Sequence, residues 1–155
     1  MNAKYHKGVI KKSKNQVKKH IKQMNKFELR YLRNKIENLP NIYFTNHALT
    51  NGVDVTIEQI KNTINGYNFI IEYNETINQN GKVDRRVLMR SSTIYNVDFK
   101  RVDGSIVKGN ANLCFVISIV TGRIITTYYN YIRDNHETID YRRYDKNLKI
   151  IKETI

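Results

Sequence analysis

The sequence predicts an α+β fold in which a basic helical arm precedes short helices and an antiparallel β-sheet of about four to six strands. Apolar residues recur at helical spacing as far as Leu39, and the period becomes that of strands after Gly66. Pairs ending in glycine then separate the strand-like runs, as hairpin turns do. We expect residues 1–40 to form the arm and residues 41–155 to form one α+β globular unit.

The charge of the chain is concentrated in the expected arm. The formal net charge is +13, and residues 1–39 hold 12 Lys and Arg against 2 Asp and Glu. Residues 40–155 hold 15 against 12. Cations gathered in one segment are typical of an element that contacts phosphates, because each neutralised phosphate releases counterions. The alternative is an ordinary solvated basic helix.

The arm has two helix-start signals and one clear stop. Ser13 with Gln16 and Asn25 with Glu28 each have the form of a capping box, and Pro40 cannot continue a helix. The pattern fits either one long helix or two helices with a joint near Asn25. Lysines on its polar face outnumber the acids beside them, which favours a polyanionic partner. These lysines are Lys11, Lys12, Lys14, Lys18, Lys19, Lys22 and Lys26.

Two short helices are predicted next. Thr45 or Asn46 caps a helical turn that carries His47, and Gly52 ends it. Thr56 with Gln59 is a third capping box, and the apolar stripe that follows ends at Gly66.

The sequence after Gly66 predicts strands. Turns are expected at Asn80-Gly81, Asp103-Gly104 and Thr121-Gly122. The two arms of the last hairpin are apolar on both faces, so we expect them to be central strands. The predicted strands cover residues 69–77, 84–94, 95–101, 105–108, 112–120 and 123–131, and residues 141–152 are expected to add an edge strand or two.

The single cysteine, Cys114, lies in an apolar run and is expected to be a small buried side chain. It leaves no internal disulfide and no cysteine-based zinc site, which favours a cytoplasmic location. Neither a membrane-spanning run nor a signal-peptide pattern is found. The four histidines lie far apart, and the sequence has no nucleotide-binding glycine pattern, so we expect no metal and no cofactor.

Three groups of residues indicate chemistry on RNA. His47 precedes the predicted sheet, and a histidine can give or take a proton near neutral pH. Arg86 and Arg90 lie on one face of a predicted strand, where two guanidinium groups can grip a phosphate. The strand Ile124–Asn130 carries one Thr and one Tyr on each face, so either set is open as the functional one. Each group also fits a purely structural role.

These pieces together resemble the RelE-like branch of the barnase, EndoU, colicin and RelE superfamily of RNases. The resemblance covers residues 41–131 and rests on His47-Ala48, Gly52-Val53 with Thr56, residues 86–90, and residues 122–129. It implies an RNase-like domain that cleaves RNA without metal. Carried over, it makes His47 the acid/base, Arg90 the phosphate stabiliser, and Thr127 with Tyr129 the substrate-orienting or proton-handling groups.

The chain departs from such relatives one helical turn beyond His-Ala, where Thr50 and Asn51 replace an arginine. Our leading hypothesis is a metal-independent endoribonuclease, a toxin or phage-type protein, that cleaves RNA by attack of its own 2′-hydroxyl. Its arm would grip RNA, with the ribosome and a neutralising protein as further partners, and Arg86 would contact RNA. The alternatives are a non-catalytic nucleic-acid-binding or regulatory protein of the same fold, and an inhibitor that binds another protein.

Overall fold

The computed structural model describes residues 15–133 and 141–152 and has an α+β fold, as the sequence predicts. One six-stranded sheet has the strand order β1-β3-β4-β5-β6-β2, antiparallel except for the short pairing of β2 with β6. The strands are β1 (Gln16–His20), β2 (Tyr43–Phe44), β3 (Asn68–Ile77), β4 (Val83–Lys100), β5 (Ile106–Ser118) and β6 (Arg123–Tyr131). The helices are α1 (Lys26–Glu37), α2 (Asn46–Asn51) and α3 (Ile57–Asn65), with 3₁₀ turns at Ile21–Gln23 and Tyr141–Arg143.

The predicted helical arm is wrong over its described first part. Residues 16–20 form β1, which pairs with β3 from Gln16↔Thr76 to His20↔Glu72. The helix begins only after Asn25, whose side chain accepts hydrogen bonds from the Phe27 and Glu28 backbone amides. Leu32 and Ile36 of α1 are fully buried in the same core as the sheet, so α1 is not a separate arm. The Ser13 signal lies outside the described residues.

The two short helices have the predicted caps. The Thr45 hydroxyl accepts from the Ala48 amide at the start of α2, and Thr56 forms a capping box with Gln59 at the start of α3. Ile60 and Ile64 of α3 join α1 in the core. α2 contacts β6 and α3 contacts β4, so both helices lie against the sheet.

Cross-strand pairing assigns each side chain of the sheet to one of two faces, because directly paired residues point the same way. The helix face carries the core residues Tyr73, Val87, Met89, Leu113, Phe115 and Ile117. The opposite face, called the open face here, carries Arg86, Leu88, Arg90, Cys114 and Val116. Cys114 is buried, as predicted.

Two pairs of predicted strands are continuous. The predicted strands 84–94 and 95–101 merge into β4, which ends at Lys100 and continues through a register shift between Arg90 and Ile94. The predicted strands 105–108 and 112–120 likewise merge into β5, which runs only from Ile106 to Ser118. The central position predicted for β5 and β6 is confirmed, since each has a strand on both sides.

The predicted edge strands over residues 141–152 do not form. After the Tyr141–Arg143 turn this segment runs along β1, where the Asp145 amide donates to the Lys18 carbonyl at 2.8 Å. Ile150 is fully buried in the core, and its carbonyl accepts from Arg85 Nη2. The segment therefore closes the core without extending the sheet.

Candidate nucleic-acid interface

Thr127 and Tyr129 lie on the helix face of β6. Thr127 pairs with Phe115, is buried, and its hydroxyl accepts from the Val53 amide at 3.0 Å. Burial raises the pKa of the Tyr129 hydroxyl, and the neighbouring Tyr95 and Asp54 raise it further. Thr127 thus anchors the chain after α2, and Tyr129 keeps its proton at neutral pH.

His47 is exposed on the first turn of α2. Its Nδ1 lies 3.2 Å from the amide nitrogen Nδ2 of Asn51, one helical turn further on. Asn51 is one of the two residues that follow the His47-Ala48 pair by one helical turn, and its side chain contacts the imidazole. If the amide donates to Nδ1, the remaining ring nitrogen, Nε2, carries the proton of the neutral imidazole and faces outward.

Arg90 lies on the open face, where its guanidinium group is hydrogen-bonded to neighbouring parts of the fold. Its side chain is buried, and its Nε and Nη2 atoms donate to Asn112 Oδ1 at 2.9 and 2.7 Å. Nη2 also donates to the carbonyl of Tyr131 at 3.0 Å. Since α2 packs on β6 on the side of Thr127, α2 and the Arg90 side chain lie on opposite faces of the sheet. His47 and Arg90 are therefore not brought to one face, and their catalytic roles stay predictions from the sequence.

The register of β6 settles which Thr and Tyr share a face with the arginines. Thr126 pairs with Val116 and Tyr128 with Cys114, so this set, and not Thr127 with Tyr129, lies on the open face. Arg86 lies there too, and its Nε donates to Asp84 Oδ2 at 2.7 Å.

The lysines predicted to bind RNA divide into three groups. Lys19 is buried and its Nζ lies 2.8 Å from Glu28 Oε2, while Lys18 pairs with Glu72 at 3.3 Å. Lys22 and Lys26 are exposed. Lys11, Lys12 and Lys14 lie outside the described residues. Lys19 therefore stabilises the fold. Lys22 and Lys26 are the exposed cations among those predicted lysines that the structure describes.

The outer side of α1 forms a cationic groove of about 380 Å³. Its lining residues are Lys26, Leu29, Arg30, Arg33, Asn34 and Glu37. Lys26 Nζ and the Arg30 guanidinium carbon lie 5.4 and 6.0 Å from the centre of the exposed Phe27 ring. In the described part of the chain, no carboxylate forms an ion pair with Lys26 or Arg30.

Arg33 fixes one end of this groove to the sheet. Its Nη1 donates to Asn68 Oδ1 at 2.6 Å and its Nη2 to the Asn68 carbonyl at 3.2 Å. Asn68 in turn donates to the Thr63 carbonyl at 2.9 Å at the end of α3. Phe27, Arg30 and Arg33 were missed as site residues in the sequence, although their spacing of three from one to the next places them along one side of a helix.

Comparisons with known proteins return no match among family models, curated proteins or solved structures. The resemblance to RelE-like RNases accordingly stays a prediction from the motifs. None of the helices described here is both long and apolar enough to cross a membrane.

Proposed function

We propose that the protein is a cytoplasmic RNA-binding protein that grips the phosphate backbone through the outer side of α1 without cleaving it. The observation that carries the proposal is that Lys26 and Arg30, which line the groove, also flank the exposed ring of the adjacent Phe27. Cations interleaved with an accessible aromatic ring suit a ligand that offers both phosphates and flat bases.

Charge and accessibility support this choice over the lysines that already face a carboxylate. Lys18, Lys108 and Lys152 each face a carboxylate within 3.3 Å, so an incoming phosphate would compete with an existing partner. Lys26 and Arg30 offer their charge without that competition within the described residues. Arg33 is held by Asn68, which keeps its guanidinium at the end of the groove.

The non-catalytic form of the proposal rests on the separation of the predicted catalytic groups. Metal-independent cleavage needs an acid/base and a phosphate-stabilising group around one phosphate. Arg90 is committed to Asn112 and to main-chain carbonyls, and His47 lies on an element that packs on the other face. Cleavage by a toxin, ribosome association and a neutralising partner stay predictions from the sequence.

The salt dependence of binding tests the proposal. We expect Lys26→Gln/Arg30→Gln to reduce the slope of log affinity against log salt for a fluorescein-labelled RNA by about two, roughly one for each lost phosphate contact. The matched control is Lys61→Gln/Lys82→Gln, which removes two exposed cations from α3 and from the β3–β4 turn. Equal slopes in the two double variants would remove α1 from the binding surface.

A second assay separates binding from cleavage. The wild-type protein is incubated with total RNA in EDTA, and new 3′ ends are mapped for cyclic phosphate. Retarded but intact RNA supports the proposal. Cyclic-phosphate ends that disappear in His47→Ala would replace it with the nuclease hypothesis.

A further inference from the structure

The far halves of β4 and β5 leave the sheet as a two-stranded ribbon, defined here as residues 94–100 and 106–110. The β3 pairing to β4 ends at Asn68↔Ser91, and the β6 pairing to β5 begins at Ala111↔Tyr131. Within the described residues, the ribbon strands pair with each other, and a bond from the Ile132 amide to the Asn110 carbonyl at 3.2 Å is their link to the end of β6. A two-stranded hairpin alone is marginally stable in water, so side chains that pack on the ribbon are needed to stabilise it.

One face of the ribbon is aromatic. The rings of Phe99 and Tyr131 stack with their centres 4.0 Å apart and an angle of 21° between them. Gly109 lies beneath both, because a Cβ there would approach Tyr131 at 3.0 Å and Phe99 at 3.2 Å. Nearer the sheet, the Tyr95 and Tyr129 rings lie 5.7 Å apart. Tyr131 is 47% exposed, so its ring is open to a ligand.

This aromatic face and the cationic groove lie on the same side of the sheet. Tyr95 pairs with Ala111 and Val97 with Gly109, which continues the helix face of Leu113 and Phe115. The groove reaches the base of the ribbon, because Arg33 binds Asn68 and Asn68 pairs with Ser91. Tyr67, 90% exposed, lies at the same junction, where its carbonyl accepts from the Ser92 hydroxyl at 2.8 Å.

We propose that the nucleic acid bound at α1 is single-stranded and that its bases stack on the aromatic face of the ribbon, with the Tyr131 ring as the main platform. This inference rests on the proposed function and extends it to a second surface. Unpaired bases offer free flat faces, whereas bases in a duplex already stack on one another. The exposed cations Lys100 and Arg101 at the ribbon tip complement a phosphate chain that runs along it.

Affinities for three labelled ligands of equal length test the inference: a single-stranded RNA, an abasic phosphodiester strand and a duplex. Tyr131→Leu should weaken binding of the single strand about fivefold or more, while its affinity for the abasic strand stays that of wild type. Tyr131→Phe keeps a ring and should bind the single strand as wild type does. Since the protein has 11 tyrosines and no tryptophan, the part of the tyrosine-fluorescence quenching that is lost in Tyr131→Leu reports stacking on that ring.

The outcomes separate this inference from the proposed function. If wild type binds the single and the abasic strands equally, or if Tyr131→Leu weakens both alike, the ribbon inference falls and the groove on α1 stands. If the α1 double variant binds all three ligands as wild type does, the proposed function falls. The aromatic face could instead bind a second copy of the chain, which sedimentation of the free protein tests. Self-association that Tyr131→Leu abolishes would assign the face to that second copy and overturn the inference.

Discussion

Lys19 and Glu28 form a buried ion pair that ties β1 to α1, with Nζ and Oε2 2.8 Å apart. The ammonium also donates to the Leu148 carbonyl at 3.1 Å, and Glu28 Oε1 accepts from the Asn25 amide at 3.0 Å. The first strand, the first helix and the C-terminal segment therefore meet at one pair of charges.

Lys19→Met should lower the free energy of unfolding by about 3 kcal/mol, because the carboxylate of Glu28 stays buried without its counter-charge. Lys108→Met is the matched control, since Lys108 pairs with Asp98 at 3.1 Å but both side chains are mostly exposed. It should cost much less. Urea titration of both variants measures the difference, and equal losses would show that burial of the Lys19 pair is unimportant.

Ile150→Ala should destabilise the protein by about 3 kcal/mol, because the side chain is fully buried and its loss leaves a cavity in the core. The next residue offers a control of the same chemistry. Ile151 is 39% exposed, and Ile151→Ala should cost less than about 1 kcal/mol. Thermal unfolding of the pair checks this, and similar melting temperatures would contradict the closing role of the C-terminal segment.

The stability contributed by Asp84 should depend on pH. Burial disfavours its ionisation, but the Ser118 hydroxyl and the guanidinium groups of Arg86 and Arg123 outweigh burial and lower its pKa. A carboxyl whose pKa is lower in the folded than in the unfolded state stabilises the fold above the unfolded pKa of about 3.9. This contribution is lost as pH falls through the folded pKa.

Asp84→Asn should therefore cost about 2 kcal/mol at pH 7, and its deficit relative to wild type should shrink below about pH 4. Denaturant unfolding at several pH values between 7 and 2 measures the deficit. Asp98→Asn, at an exposed carboxyl, provides the control. A deficit that stays constant down to pH 2 would contradict the assigned shift.

Gly122→Ala should destabilise more than Gly104→Ala. Both glycines have positive φ, +80° and +89°, so each alanine is strained by about 1–2 kcal/mol. At Gly104 the new methyl group meets open space, whereas at Gly122 it collides with the Asn41 carbonyl oxygen. The difference in unfolding free energy isolates this contact between the β5–β6 turn and the start of β2. Indistinguishable variants would mean that the turn shifts freely.

Local signals predicted the elements whose ends depend on nearby residues. The Asn25 and Thr56 capping boxes, the Thr45 cap and the three glycine turns all lie where the sequence placed them. Such features are set by hydrogen bonds within a few residues, so they can be predicted from a single sequence.

The strand β1 was misread as helix because Val17, Ile21 and Met24 fit helical spacing, while Val17 and Lys19 also fit the two-residue period of a strand. Pairing with β3, some 55 residues away, decided between the two. The prediction of the site residues was limited by the same dependence on long-range pairing. Whether Thr126 or Thr127 shares a face with Arg90 depends on the register of β4, β5 and β6, which is a long-range property.

The burial of Ile150 has a consequence for biosynthesis. A nascent chain can form α1, α3 and the central hairpins early, but the core lacks the Ile150 side chain until residue 150 has left the ribosome. We expect the growing polypeptide to expose apolar surface until that moment, and then to complete its core in a single late step.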